Sequence, residues 1–589
     1  MAMCQHRTLC GIRLVAAVAC ALVVSVLGWQ AGAAAADDGP VCAPHGNDPA
    51  FAIAVRVLTG LEGADLTIRV TAASPGCTAP ESLKKVQVKS FALDGTLAGV
   101  RNVDDLPSPG GTADLELAPL VPRQIVQAEV LVQTGAPKRT YVVHASTEAT
   151  EFALDRSRLI VPSIAGYGGQ FNQHVYAKLS ADVGVTPTNV LDLETKVVAL
   201  QPQLVRIFFN SSEFTVPDRM ESFVRTVQLA QRAGATINIT WQGGGFNNIA
   251  GNMAKFGNVL LDLVQHKGIT NLRWLTVQNE PNEPSNKFTM QQWESMYRAL
   301  DQDIADIRGQ VRFMGGDLVR GDDYPDPSNQ QFWFDYMATH MADILDAWSM
   351  HAFWDYWDTE KLQARLSEVR AIWDKEPQDA RKPLYVTEYG VRGIRTLNNV
   401  TANPGFWQDG TPLTQTNVNA FQQAWFDVLS ARLGYLGTSK WDSYFGKYDN
   451  GTQAYFMIGS PLNGWPLYPI YQVVHLWTMT VKPAWQVVGL DGEAGTKLLA
   501  AYSSTTGDLT LIGLDTAGAQ LNTASPTQDS YSIGGLPPST PFKLVIWNQN
   551  GDGQNTTAGT IVSDTAGVAT LTAPLQSVFA LTTAPVQTS

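Results

Sequence analysis

Leu272-Arg273-Trp274-Leu275-Thr276-Val277-Gln278-Asn279-Glu280-Pro281-Asn282 reads as a short buried strand that ends on an acid and then turns at a proline. A second stretch, Pro383-Leu384-Tyr385-Val386-Thr387-Glu388-Tyr389-Gly390, has the same form and turns at a glycine. A carboxylate inside a buried strand would pay a large desolvation cost, so an acid at the strand's end is there to be displayed. Two such acids in one repeating strand–helix pattern place both at the same end of a parallel sheet.

Working outward from these stretches, residues 156–482 alternate between strand and helix patterns. The predicted strands are Leu159–Ala165, Leu204–Phe209, Thr236–Trp241, Leu272–Glu280, Val311–Leu318, Ala347–Trp354, Leu384–Glu388 and Thr438–Tyr444. Amphipathic helices lie between them, among them Arg219–Ala233, Met253–His266, Met290–Arg308, Leu362–Trp373 and Asn417–Leu433, and a last one near Tyr468–Met479 follows the eighth strand. Eight such units predict an α/β fold, a (β/α)8 TIM barrel. A doubly wound open sheet is the competing architecture, but no glycine-rich phosphate fingerprint follows an early strand.

The flanks read differently. Residues 37–155 carry short alternating apolar runs separated by Pro, Gly and Ser clusters, which predicts an N-terminal Ig-like β-sandwich. Residues 483–589 predict a C-terminal β-sandwich. Within it Asn548, Asn550, Asp552 and Gly553 resemble the start of a calcium loop, but the twelfth position is Gly559 rather than the bidentate acid, so a hairpin turn is expected. Residues 1–36 have the charged, apolar and small-residue regions of a signal peptide, with Arg7 and Arg13 before the apolar run Leu14–Leu27. That run is shorter than a bilayer span, so cleavage and secretion are expected rather than an anchor. Cys42 and Cys77 are the two cysteines after the leader and in an exported chain are most simply a disulfide. The net charge of −13 argues against nucleic acid or anionic membrane as partners. A monomer is expected.

Glu280 ends the fourth predicted strand and Glu388 the seventh, on opposite sides of the barrel mouth. Retaining glycosidases need two carboxyls facing each other there, roughly 5 Å apart, one to attack the anomeric carbon and one to exchange a proton with the leaving oxygen and then with water. With these residues in view, the segment 156–482 resembles the retaining (β/α)8 glycoside hydrolases of clan A, and is most similar to families 39, 5 and 30. Asn279-Glu280-Pro281-Asn282 matches that clan's strand-four motif, and Thr387-Glu388-Tyr389-Gly390 looks like its strand-seven motif. The resemblance implies that Glu280 is the acid/base, Glu388 the nucleophile and Asn279 a ligand of the sugar 2-hydroxyl. It also implies that Arg206 on strand two keeps the nucleophile ionised, and that His351 on strand six lines the site. Family 5 tends to have a His at the end of strand three, where this chain has Trp241-Gln242. Phe353 stands where many relatives have a tyrosine whose hydroxyl contacts the nucleophile, a contact that Tyr356 could replace.

Most of the chain's 16 tryptophans fall in the barrel segment. Trp241, Trp354 and Trp441 end strands and stand either to stack on sugar rings or to pack, and Tyr389 beside the nucleophile is a further substrate-binding candidate. The histidines contain no close pair of the kind that opens a barrel metal site, so neither a metal nor any other cofactor is expected. The expected function is a secreted retaining glycoside hydrolase acting on a poly- or oligosaccharide. The alternative is a catalytically inactive glycan-binding barrel. The sugar, its linkage and the choice between endo and exo cleavage stay open.

Overall fold

A computed structural model describes the chain from Thr150 to Val586, apart from residues 244–247, 284–288, 321–326, 356–358, 378–380, 396–400, 403–411, 448–454, 493–496, 517–527 and 575. Before Thr150 it describes the backbone of strands between Phe51 and His144. The leader, Cys42, Cys77 and Tyr356 lie outside the described residues.

Eight parallel strands close on themselves. In chain order they are strand one (Gly166–Phe171), two (Leu204–Asn210), three (Thr236–Gln242), four (Leu272–Val277), five (Arg312–Arg320), six (Ala347–Asp355), seven (Leu384–Arg395) and eight (Gly437–Lys440). Each pairs with the next, and strand eight pairs back onto strand one. A helix follows each strand, among them Pro217–Arg232, Met290–Asp303, Asn417–Arg432 and Pro469–Thr480. The (β/α)8 barrel read from the sequence is therefore the observed fold, with one correction at its start. Of the apolar run predicted as strand one, Leu159–Ala165, the first three residues end a strand Thr150–Val161 that lies outside the barrel, and the other four lead into the barrel. The first barrel strand is instead the glycine-rich Gly166-Tyr167-Gly168-Gly169-Gln170-Phe171. An added side-chain carbon at Gly168 would sit 2.1 Å from the carbonyl oxygen of Leu204, so strand two approaches too closely for any other residue there.

Alternation along each strand decides what faces the barrel axis. Leu204, Trp274, Met314, Ala347 and Tyr385 form an apolar floor across strands two, four, five, six and seven. Above it the inward residues turn polar. The opposite faces carry Val205, Ile207, Phe209, Ile237 and Ile239, which pack against the helices.

Thr150–Val161 lies in a nine-stranded sheet with the C-terminal strands, antiparallel to Gln486–Gly492 and parallel to Gln528–Gly534. The chain thus enters this sheet before it enters the barrel. Helix Asn417–Arg432 is buried on nearly every face because it lies between strand seven and this sheet. Arg432 Nη1 donates to the carbonyl of Leu499 at 3.1 Å, and Asn417 Nδ2 to that of Gln549 at 2.7 Å. The segment after Asn548 joins the antiparallel strands Pro541–Asn548 and Asn555–Val562, the hairpin turn expected of it. Two further sheets, of three and four strands, are formed by the strands between Phe51 and His144. Among the described residues no helix is long and apolar enough to cross a membrane.

Candidate active site

Arg206 on strand two is the hub of the barrel mouth. Its side chain is fully buried, and its five N–H donors meet five acceptors. Nε donates to Thr240 Oγ1 at 2.9 Å, and Nη1 to Gln170 Oε1 at 2.8 Å and Glu388 Oε2 at 2.6 Å. Nη2 donates to Asn279 Oδ1 at 2.5 Å and Asp317 Oδ2 at 2.7 Å. The Phe208 ring lies 4.3 Å from the guanidinium carbon and closes the remaining side. One residue therefore links strands one, two, three, five and seven with the turn after strand four.

Glu280 lies just past strand four, where Gln278 and Glu280 have φ of 72° and 46°. These values are rare for residues with a side chain and mark a turn held by its surroundings. Asn282 supplies part of that hold. Its amide accepts from the backbone N–H of Val319 at 2.9 Å and donates to the carbonyl of the same residue at 3.1 Å. The Glu280 carboxylate contacts His351 Nδ1 at 2.9 Å. Glu388 sits across the mouth, and the nearest donor and acceptor atoms of Glu280, His351 and Glu388 all lie within 4.8 Å of one another. The Glu280 side chain is 20% exposed and that of Glu388 is 9% exposed. Glu280 is the one that water and a leaving group can reach more easily.

Asp317 was not singled out by the sequence reading. It is fully buried on strand five, and its Oδ1 accepts from the hydroxyls of Ser349, at 2.8 Å, and Thr387. His351 Nε2 stands 3.7 Å from the same oxygen. The available signal was an acid in the middle of a strand, directly after Gly315-Gly316. The mouth thus gathers three carboxylates around two cations. Burial opposes the charge of His351, but Glu388, Asp317 and Glu280 outweigh it and raise the imidazole to about 9. Burial likewise opposes ionisation of Asp317, yet Arg206 and His351 hold it well below the usual carboxylate range. For Glu388 the balance reverses. Burial, aided by the charges of Glu280 and Asp317, lifts it above the usual range against the pull of His351 and Arg206. Arg206 contacts the nucleophile candidate as expected, but it does not lower that carboxyl below an ordinary glutamate.

Glu280, His351 and Glu388 are close enough for their donor atoms to face one ion. Arg206 Nη1 already occupies the Glu388 oxygen on this side, and the surrounding carboxylates favour the protonated imidazole of His351, whose proton an ion would have to displace. The arrangement fits proton exchange better than metal binding.

Of the aromatic candidates, Trp441 alone reaches the mouth. It packs edge-on against Phe208 at 6.0 Å, with the partly buried Phe353 and Tyr455 beside it. Trp241, Trp354 and Tyr389 have to be corrected. Trp241 points away from the axis into a cluster with Phe209, Phe214 and Phe256. Trp354 and Tyr389 point toward helix Asn417–Arg432, where both stack on Phe426 and Tyr389 donates to Asp427 Oδ2 at 3.0 Å. The reason is parity: Thr240, Phe353 and Glu388 face the mouth, so the residue that follows each of them, Trp241, Trp354 and Tyr389, faces outward. Nearness in sequence to Glu388 or His351 does not put a side chain in the site.

A (β/α)8 barrel with two acids facing across its mouth is thus the class that fold and site define. No protein-family description matches the sequence, and no curated protein matches it. Solved structures do. The family 30 subfamily 8 xylanase Xyn30A from Clostridium acetobutylicum aligns with a TM-score of 0.51 and 11% identity over 73% of this chain and 99% of its own. The catalytic domain of the family 30 xylanase C from Talaromyces cellulolyticus gives 0.53 and 11% over 74% and 100%. AbfB, a family 51 alpha-L-arabinofuranosidase from Bifidobacterium longum, gives 0.53 and 12% over 74% and 100%. At this identity the likeness shows the fold.

Proposed function

We propose that the chain is a secreted retaining glycoside hydrolase. The observation that carries this reading is the pair Glu280, just past strand four, and Glu388, within strand seven rather than at the end predicted for it, with carboxylate oxygens within 4.8 Å of one another. Inverting enzymes hold their carboxyls roughly 6.5–9.5 Å apart to admit a water between them, and retaining ones about 5 Å apart. In the first step Glu388 Oε attacks the anomeric carbon and the bond to the leaving oxygen breaks, while Glu280 gives that oxygen its proton. In the second step Glu280 takes a proton from water, whose oxygen displaces Glu388 from the anomeric carbon. Arg206 and His351 offset the charge on the two acids throughout. Asn279, with Oδ1 held by Arg206, keeps its Nδ2 for a sugar hydroxyl. Trp441 offers an aromatic face at the rim.

The neighbours of similar fold are named for xylan and arabinofuranoside cleavage, so pentose-containing polysaccharides are the first substrates to try. Export of the chain, removal of residues 1–36, a Cys42–Cys77 disulfide and a monomeric state belong to the same proposal. The test is Glu388→Gly assayed on aryl glycosides with and without azide. Turnover should fall by about 10³-fold or more and return with azide, which releases the glycosyl azide of inverted configuration. Undiminished hydrolysis by Glu388→Gly would refute the assignment. A wild type that binds glycans without cleaving any would identify an inactive glycan-binding barrel.

A further inference from the structure

Resting on that reading of Glu280 and Glu388, we infer that Asp317 is a positioning residue for the acid pair, clamping Arg206 and the strands that carry His351 and Glu388 in the arrangement the reaction uses. The clamp is built into three strands. Oδ2 of Asp317 takes one Nη2 hydrogen of Arg206 while Asn279 takes the other, which fixes the guanidinium plane and aims Nη1 at Glu388. Oδ1 accepts from Ser349, two residues before His351 on strand six, and from Thr387, the residue before Glu388 on strand seven. Ser349 Oγ also accepts from the Asp317 backbone N–H at 2.8 Å. One carboxylate thus ties together the strands that carry three of the site's charged groups.

The backbone is distorted to present it. Between strands five and six the register jumps from Gly315 opposite Trp348 to Leu318 opposite Met350, so Gly316 and Asp317 form a bulge. Gly316 has φ of 114° and Asp317 of 46°, and a side-chain carbon at Gly316 would lie 2.4 Å from the carbonyl oxygen of Ser349. A second irregularity leaves Thr387 between the pairs Met350–Val386 and His351–Glu388, which lets both Thr387 and Glu388 face inward. A bulge that re-aims a side chain at an acid pair is more than a filler ion pair requires.

The groups facing this cluster are Arg206 from strand two, Glu280 beyond strand four, His351 from strand six and Glu388 from strand seven, with Lys440 of strand eight acting on Glu388 through its charge. Tyr297, from helix Met290–Asp303, also feels Asp317 but donates to the carbonyl of Met314. In Asp317→Asn the amide oxygen still serves Arg206, and the hydroxyls of Ser349 and Thr387 can turn to accept from the amide nitrogen. Shape is kept and one negative charge is lost. That loss makes the His351 cation less favourable and the Glu388 anion more favourable.

The experiment compares wild type and Asp317→Asn by kcat/KM against pH and by NMR titration of the His351 ring. A reaction that needs one group ionised and another protonated gives a bell-shaped profile, and both its limbs are expected to move to lower pH by about one unit, with kcat down about tenfold or more and KM within about threefold. The His351 midpoint should fall as well. A merely structural ion pair would lower the folded fraction and leave both limbs and the midpoint in place, and that result overturns the inference. Should Asp317→Asn fail to fold, Thr387→Val takes its place: kcat is expected to drop about threefold or more at unchanged KM and to recover in Thr387→Ser. A Thr387→Val enzyme with wild-type kcat overturns the clamp. The NMR arm separates this inference from the functional reading. If no glycoside is cleaved but the midpoint still falls in Asp317→Asn, the clamp stands and the glycosidase assignment fails.

Discussion

Tyr389 and Asp427 show how a residue beside one of the paired acids comes to serve the scaffold. Tyr389 follows Glu388 directly, but strand parity sends its ring to the far side of the sheet. There its hydroxyl donates to Asp427, which also accepts from Thr438 Oγ1 at 2.8 Å. Tyr389→Phe is therefore expected to leave kcat and KM within about twofold of wild type while costing about 1 kcal/mol in denaturant unfolding. A collapse of kcat/KM would return Tyr389 to the site. Burial pushes the Asp427 carboxyl up to about 7, against the two hydroxyls that favour its anion. A carboxyl raised in the folded state contributes stability that is fully present below its unfolded value near 3.8 and lost as pH rises through about 7. Asp427→Asn removes this loss. Relative to wild type the variant should gain about 1–3 kcal/mol on going from pH 4 to pH 8, read from melting curves at the two pH values. A difference that does not change with pH would show that Asp427 is not ionising in this range. Sequence alone presents Asp427 as one polar position on a helix. Its burial exists only once the helix packs on strands seven and eight, whose Tyr389 and Thr438 meet it.

At the scale of elements, most strands of the barrel were legible because they carry short apolar runs. What was not legible is how strands five and seven depart from regularity. Their bulges place Asp317, Thr387 and Glu388 together, and a period-two reading assigns alternate residues to opposite faces without allowing for an extra one. Gly316 marks the first bulge. Gly316→Ala meets the carbonyl oxygen of Ser349 at 2.4 Å and a φ of 114°, so it is expected to cost about 2 kcal/mol or more in unfolding free energy and to lower kcat by displacing Asp317. A variant as stable and as active as wild type would mean that the bulge is not required. The glycine-rich strand one escaped prediction for a related reason. Its burial comes from neighbouring backbones in close approach rather than from apolar side chains of its own.

Over the whole molecule, barrel and C-terminal sheet share one core. Tyr502, Ile512, Leu514, Trp547 and Val578 of the sheet belong to the same apolar cluster as the barrel helices, and the hydroxyls of Tyr167 and Tyr502 meet at 2.7 Å between them. Because Thr150–Val161 joins this sheet from the other side of the barrel in sequence, neither unit is complete alone. Calorimetry should show barrel and sheet unfolding in one transition, and Tyr502→Ala should lower its midpoint without splitting it. Two separate transitions would make the C-terminal sheet an independent domain. The sequence by itself determined the strand–helix alternation of a (β/α)8 barrel, the acids Glu280 and Glu388 at strands four and seven, and Arg206 and His351 beside them. Those features are written in local hydrophobic periodicity and in short motifs. Only the tertiary structure decided that Asp317 joins them, that Trp241, Trp354 and Tyr389 face away, and that Glu388 is lifted rather than lowered. Each of these depends on which faces meet across the barrel and how far water is excluded between them, and neither quantity exists until distant segments pack.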